Sequence, residues 1–336
     1  MVLGHNIQYA SGKEWLLHRN YFDNNIFKII YSFHMPLLMI ISGYFFYMTM
    51  KKIIEKKDVS TIYVVIRRVK SLSIPILVWS IPGIIIYLIK NVNTNIDVGI
   101  VFKQIFAIVM YNLWFLWAII FLSIFVYFIE KYLKKPAYMY LLVLLILNFI
   151  PDKYNIHLYK YMYPYFIVGY IWNKNQIFKK FKVVLEKNKY KLLCMLSVLY
   201  MILIIFYNKE CYIYTTGISV LQNGIKLTNI TNQVIINIYR WAIGFVGSAL
   251  LLWLIYCINI PDKFKYILTK VGKESLLIYI IDDFLNKYVI TRVTYGVYSL
   301  NYTLVIMLTI IIVSFCVYIG MKLELYPKLR KTLLGY

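Results

Sequence analysis

Five ionisable side chains stand where a long apolar chain is least able to carry them: His5, His34, Arg240, Asp282 and Asp283. Burying such a group in a membrane costs several kcal/mol unless it is paired or hydrated, so each marks a candidate functional position. His5 follows Gly4, a residue that would let a ligand or a neighbouring helix approach closely. His34 lies in "SFHMPLLMIISGYFF" (32–46), two residues before Pro36. That proline removes a backbone donor, frees the carbonyl one turn earlier near Ser32 and loosens the helix there. Imidazole suits proton transfer near neutral pH, so two imidazoles facing one outward-open cavity would supply a general base. The same residues would equally serve as inert, hydrogen-bonded groups at a water interface. Arg240, in "NIYRWAIGF", and Asp282, in "SLLIYIIDDFLNKY", are expected to pair between helices, either to fix packing or to contact substrate.

Arg67, Arg68 and Lys70 precede "SLSIPILVW" at what reads as the cytoplasmic mouth of a helix. They are either ordinary basic flank or a grip for phosphates, which the guanidinium fork fits well. There is no Walker loop, dinucleotide fingerprint, Gly-x-Ser-x-Gly or Cys/His cluster at zinc spacing, so neither soluble-enzyme chemistry nor a metal centre is expected. The four cysteines, Cys194, Cys211, Cys257 and Cys316, are scattered singly and suggest no disulfide framework.

The elements that must position these residues are apolar helices. Of the 336 residues 61% are hydrophobic, more than a typical soluble domain carries, and mean hydropathy is +0.67. Spanning segments are expected at about 29–50, 72–90, 112–129, 137–151, 160–173, 192–208, 234–258, 274–290 and 302–322. Residues 1–10 read as the end of another helix. Ten helical residues rise about 15 Å, half the hydrocarbon thickness, so the first helix is expected to be incomplete. The net charge of +23 does not indicate nucleic acid, because its placement matters more than its size. Segments 51–70, 130–136, 173–191, 259–273 and 322–336 hold 7, 3, 7, 4 and 4 Lys and Arg, together 25 of 37. Short basic loops of this kind face the cytoplasm. The 51–70 loop around Lys56 and the C-terminus are therefore expected inside, and the 209–233 loop around Asn223 outside, where it could cover a cleft. "FKKFKVVLEKNKYK" (178–191) is a basic amphipathic run suited to lie on anionic lipid.

Several of these pieces occur together in one family. The chain resembles the membrane-bound acyltransferase 3 family, whose bacterial members typically O-acylate cell-surface polysaccharides. The resemblance rests on "LGH" (3–5), "FHMPLLMIISGYFF" (33–46) and "RRVKSLSIPILVW" (67–79), followed in order by "LWFLWAI" (113–119), "PYFIVGY" (164–170) and "GKESLLIYI" (272–280). It implies an acyl group taken from cytosolic acyl-CoA, acetyl-CoA first, and delivered to an external glycan hydroxyl. It also implies His5 as the catalytic base, His34 as a second site residue, and Arg67, Arg68 and Lys70 as the holders of CoA phosphates. The pattern departs from the family where Ser71 replaces a second basic residue, and where Asp282 stands near the histidine that often follows "IY".

The expectation is an all-α, polytopic membrane helix bundle of about ten transmembrane helices, the first truncated, forming one domain over 1–336 in the cell membrane. Membrane lipid, a glycan acceptor and polysaccharide biosynthesis machinery are the expected partners. The alternative is a polysaccharide or lipid-linked glycan exporter, which would share the basic inner face and find stacking surfaces in the 34 tyrosines. Exporters often carry internal repeats, and none is visible here.

Overall fold

The computed structural model describes residues 1–10, 20–54, 60–92, 97–133, 136–153, 155–222, 224–290 and 302–335. Lys56 and Asn223, the two loop positions singled out above, lie outside these described residues. The described chain is helical throughout. In order the helices are α1 (Val2–Ala10), α2 (Asn25–Ile54), α3 (Thr61–Lys90), α4 (Val98–Tyr111), α5 (Trp114–Tyr132), α6 (Pro136–Leu147), α7 (Ile156–Lys174), α8 (Ile177–Lys187), α9 (Lys189–Ile205), α10 (Leu227–Cys257), α11 (Asp262–Lys273), α12 (Ser275–Leu285), α13 (Tyr302–Glu324) and α14 (Pro327–Leu334). A π-helical turn, Asn286–Ile290, extends α12.

Helices that are apolar all round must lie in lipid or in a protein core. Five described helices, α2, α3, α5, α10 and α13, are each long and apolar enough to cross a bilayer. Bands of exposed Leu, Ile and Phe on their outer faces, such as Ile310 and Ile311 of α13, suit a hydrocarbon solvent. The chain is a membrane protein. The other expected spans are shorter or more polar. α6 has 12 residues, a rise of about 18 Å, and α12 has 11. α8 and α9 meet at a bend of 98°, so most of the basic run 178–191 lies in the separate amphipathic helix α8, with Lys179, Lys180, Lys182 and Lys187, and its last three residues open α9.

Three of the described helices, α4, α11 and α14, were not expected. The sequence reading places no element between 90 and 112, yet α4 fills 98–111. Asp97 caps its N-terminus, accepting from the amides of Gly99 and Ile100. It ends at Asn112, where Leu113 takes a left-handed conformation (φ 45°) that breaks the helix before α5 starts. Trp117 of α5 donates to the Val109 carbonyl at 3.1 Å, and Asn112 donates to Ser80 of α3 at 3.1 Å, holding the break in place.

The helices approach most closely at glycines. A Cβ on Gly43 of α2 would run into the Phe166 carbonyl of α7, and one on Gly169 of α7 would run into the Ile40 carbonyl of α2. These two helices therefore touch backbone to backbone, the contact that small residues permit between membrane helices. At the C-terminal end, α14 lies against α3. Trp79 donates to the Leu333 carbonyl at 3.1 Å, and Arg330 donates to both carboxylate oxygens of buried Glu274, at 3.0 and 3.2 Å.

Because the clash at Gly43 is with main chain, no rotamer relieves it. Gly43→Leu should lower the thermal midpoint of the detergent-solubilised protein by several degrees, as overpacking commonly costs about 1–3 kcal/mol. Gly272→Ala, where nothing lies within 4 Å of the added carbon, should leave it unchanged. Equal midpoints for the two variants would mean that the α2–α7 crossing can spread at no cost.

Candidate active site

A cavity of about 390 Å³ opens among α1, α2, α5, α7 and α12, and both His5 and His34 line it. Its walls are strongly aromatic: Tyr31, Trp114, Tyr161, Tyr212 and Tyr279 all contribute. Gly4 explains how α1 reaches this place, because a Cβ there would come within 2.8 Å of the Tyr31 ring. The close neighbour that Gly4 admits is therefore a helix.

His5 is oriented by a carboxylate. Its Nδ1 lies 2.6 Å from Oδ2 of Asp282, whose side chain is fully buried, while the imidazole keeps 19% exposure. A carboxylate can only accept, so Nδ1 carries a proton, and in the neutral imidazole Nε2 then holds the lone pair. Asn286, one turn beyond Asp282, donates 2.8 Å hydrogen bonds to both the carbonyl and Oδ1 of Asp282 and so fixes the carboxylate. Asn6, the neighbour of His5, donates to Thr309 of α13 at 2.9 Å and ties α1 to that helix. Asn286 went unnoticed in the sequence, though its i, i+4 spacing from a buried aspartate is a readable signal.

His34 is nine residues into α2, about 14 Å from its start at Asn25 and deeper than the sequence suggested. The helix runs unbroken through Pro36. Nδ1 lies 2.8 Å from the carbonyl of Ile30, not the Ser32 carbonyl that Pro36 frees. Ser32 instead shares a 2.8 Å hydrogen bond with the Tyr200 hydroxyl of α9. The Tyr31 ring packs edge-on against His34 at 4.7 Å and lies 6.2 Å from His5, so it sits between the two imidazoles.

The three basic residues of α3 separate. Arg67 and Lys70 are exposed, but Arg68 turns inward toward α2. Its guanidinium lies 5.0 Å above the Phe46 ring and 3.5 Å from the Ser42 carbonyl, and its buried Nε has no hydrogen-bond partner. Arg68 is thus half-buried between α3 and α2. Ser42 and Phe46 are 8 and 12 residues beyond His34 on α2, so the two sites are about 12–18 Å apart along one helix.

The expected Arg240–Asp282 pair does not form. Asp282 is engaged with His5 and Asn286, and Arg240 holds the strap 208–222 that crosses beside the cavity. Arg240 donates to the carbonyls of Cys211 at 2.8 Å, Gly217 at 2.6 Å and Glu210 at 3.1 Å, and to the Thr216 hydroxyl at 2.5 Å. A second anchor was missed in the sequence. Lys160 Nζ donates to Asp152 at 2.6 Å, and Asp152 also accepts from the amides of Ile218 at 2.7 Å and Ser219 at 2.8 Å. Asp283, beside Asp282, pairs with Lys287 at 2.6 Å, and both line the cavity.

The described residues thus form an all-α membrane helix bundle with a carboxylate-oriented histidine beside an aromatic cavity. The particular family follows from comparison: residues 1–321 match the acyltransferase domain that defines the acyltransferase 3 family, and the chain belongs to that family. It is also similar to the nodulation protein NolL of Mesorhizobium japonicum, with 24% identity over 225 residues. That match covers 64% of this chain and 54% of the relative, so the chain spans about half the length of the curated protein it matches. No solved structure matches.

The Asp152 anchor gives a pH-dependent expectation. Burial pushes its carboxyl up, but Lys160 and the two amides outweigh this and hold it below its ordinary value. A carboxyl lowered by folding stabilises the fold above its unfolded pKa, and that stability is lost as pH falls through the folded value. The strap should therefore resist proteolysis at pH 7 and become cleavable only below about pH 4. Asp152→Asn leaves the buried Lys160 charge with the Ile150 carbonyl but no carboxylate, and breaking a buried ion pair costs about 3–5 kcal/mol, so its strap should be cut already at pH 7. Identical cleavage of both proteins at pH 7 would show that the strap is held without this pair.

Proposed function

We propose that the protein transfers an acyl group, acetyl in the first instance, from a CoA thioester to a hydroxyl of a cell-surface glycan. The observation that carries this reading is the His5 imidazole, with Nδ1 tied to buried Asp282 and Nε2 left as a base beside the cavity. A sugar hydroxyl is a weak nucleophile at neutral pH. His5 Nε2 takes its proton as the oxygen attacks the thioester carbonyl. The C–S bond breaks, the new C–O ester bond forms, and the imidazolium returns the proton to the departing thiolate. Asp282 stabilises the positive charge on His5 during the step.

Arg68 is suited to the donor. Its guanidinium carries an unpartnered Nε, and an anion arriving there would gain charge-assisted hydrogen bonds. The short path along α2 between Arg68 and His34, about 12–18 Å, is less than the hydrocarbon thickness. A thioester reaching past Arg68 toward the histidines therefore needs no carrier step. The basic segments counted above support an orientation with the Arg68 end and the C-terminus toward the cytoplasm and the strap outside. The glycan would enter the cavity from the external side.

The test is transfer of labelled acyl groups from acyl-CoA to glycan in membranes carrying the protein, normalised to the protein present. His5→Ala should lower transfer by about 10²–10⁴-fold, the usual contribution of a positioned base. Asp282→Asn, which can turn a donor toward Nδ1 and impose the wrong tautomer, should lower kcat by roughly 10²-fold or more. Glycan appearing outside with no loss of thioester would replace this reading with export.

Arg68→Ala separates donor binding from chemistry. One charged hydrogen bond contributes about 1.5–3 kcal/mol, so KM for acyl-CoA should rise about tenfold or more with kcat little changed. An unaltered KM would leave Arg68 as a packing residue over Phe46.

A further inference from the structure

His5 and His34 both line one cavity, and each turns its Nδ1 to an acceptor of the protein itself. His5 Nδ1 spends its proton on Asp282. His34 Nδ1 faces the Ile30 carbonyl at 2.8 Å. A carbonyl can only accept, so that nitrogen carries the proton and Nε2 is an acceptor. His34 is 7% exposed, and its Nε2 is buried without a hydrogen-bond partner. Tyr31, wedged between the imidazoles, cannot supply the missing donor, because its hydroxyl already donates to Gln8 Oε1 at 2.6 Å. A buried acceptor left unsatisfied costs about 1–3 kcal/mol, and a leucine at 34 would avoid that cost if the position served packing alone.

We infer that His34 is a positioning residue for the acceptor, its Nε2 receiving a hydrogen bond from a second hydroxyl next to the one that His5 deprotonates. The inference rests on the acyl-transfer reading and narrows its substrate. Two acceptor nitrogens ask for a ligand with at least two O–H donors, which is the polyhydroxyl part of a neutral sugar ring. A carboxylate or phosphate offers only lone pairs and is disfavoured at this point. The tyrosines and Trp114 around the cavity supply faces against which the C–H side of such a ring packs.

The test uses isosteres that split the two ends of the imidazole. Glutamine at 34 can place an oxygen near the position of Nε2. Asparagine is too short to do so, but it can keep the donor to Ile30. The probe is the cell-surface polysaccharide of the producing cell, stripped of O-acyl groups by mild alkali. Its binding to the purified full-length chain is followed by tryptophan fluorescence without acyl-CoA. His34→Gln should bind within about threefold of the unsubstituted protein, while His34→Asn and His34→Ala should each bind at least tenfold more weakly. Asparagine binding normally while glutamine behaves like alanine would reduce His34 to a tie on the α2 backbone and overturn the inference. So would equal affinity for all four proteins, or no binding by the unsubstituted chain. Labelled acyl transfer, measured in parallel, reports on the catalytic reading separately, since a protein that binds the glycan with this ordering and transfers nothing sinks only that reading.

Discussion

A charge buried in a hydrocarbon surrounding must find a partner inside the protein, and this bundle is organised by that demand. The His5–Asp282 contact joins residues 277 positions apart. It brings α1 against α12 near the centre of the molecule, with Asn286 and the Asn6–Thr309 bond extending the tie on either side. Other buried or half-buried charges follow the same rule: Arg330 with Glu274, Lys174 with Glu130 and Lys160 with Asp152. Buried ion pairs add little net stability over apolar packing, but breaking one is costly. They therefore specify which helices are neighbours more than they strengthen the whole.

α2 carries both ends of the chemistry. His34 faces the cavity, and Ser42 and Phe46 meet Arg68 two to three turns further along. Between them Gly43 is pressed against α7 and Pro36 against Gly244 of α10. The helix is thus fixed on two sides over the stretch that separates the histidines from the arginine, and that separation becomes a rigid property of the fold.

Much of the architecture was legible because it follows from apolar run length and from polar residues in improbable places. The all-α membrane bundle came from the first, and the membership of His5 and His34 in one cavity from the second. What escaped reading depended on partners distant in sequence. Nothing near Arg240 says that its acceptors are the carbonyls of Glu210, Cys211 and Gly217 and not a carboxylate. α4 was missed because its end is set by the left-handed turn at Leu113, a non-glycine residue that sequence patterns give no reason to expect there. The depth of His34 was underestimated because α2 begins at Asn25, four residues before the apolar run suggested. The separation of Arg68 from Arg67 and Lys70 is a matter of helical phase. At 100° per residue the three cannot share a face, and the α2–α3 contact selects one of them.

The hydrogen bonds that hold the strap beside the cavity run almost entirely through its main chain. Arg240 reads three carbonyls and one hydroxyl, and Asp152 reads two amides. None of these bonds depends on the side chains of Tyr212, Ile213 or Tyr214, three of the strap residues that line the cavity. Drift in those three side chains therefore leaves the anchorage intact. Tyr212 and Ile213 are buried in the core while Tyr214 is exposed, so a lineage carrying this scaffold could change the surface it offers to an incoming molecule at Tyr214 with the anchorage of the strap untouched.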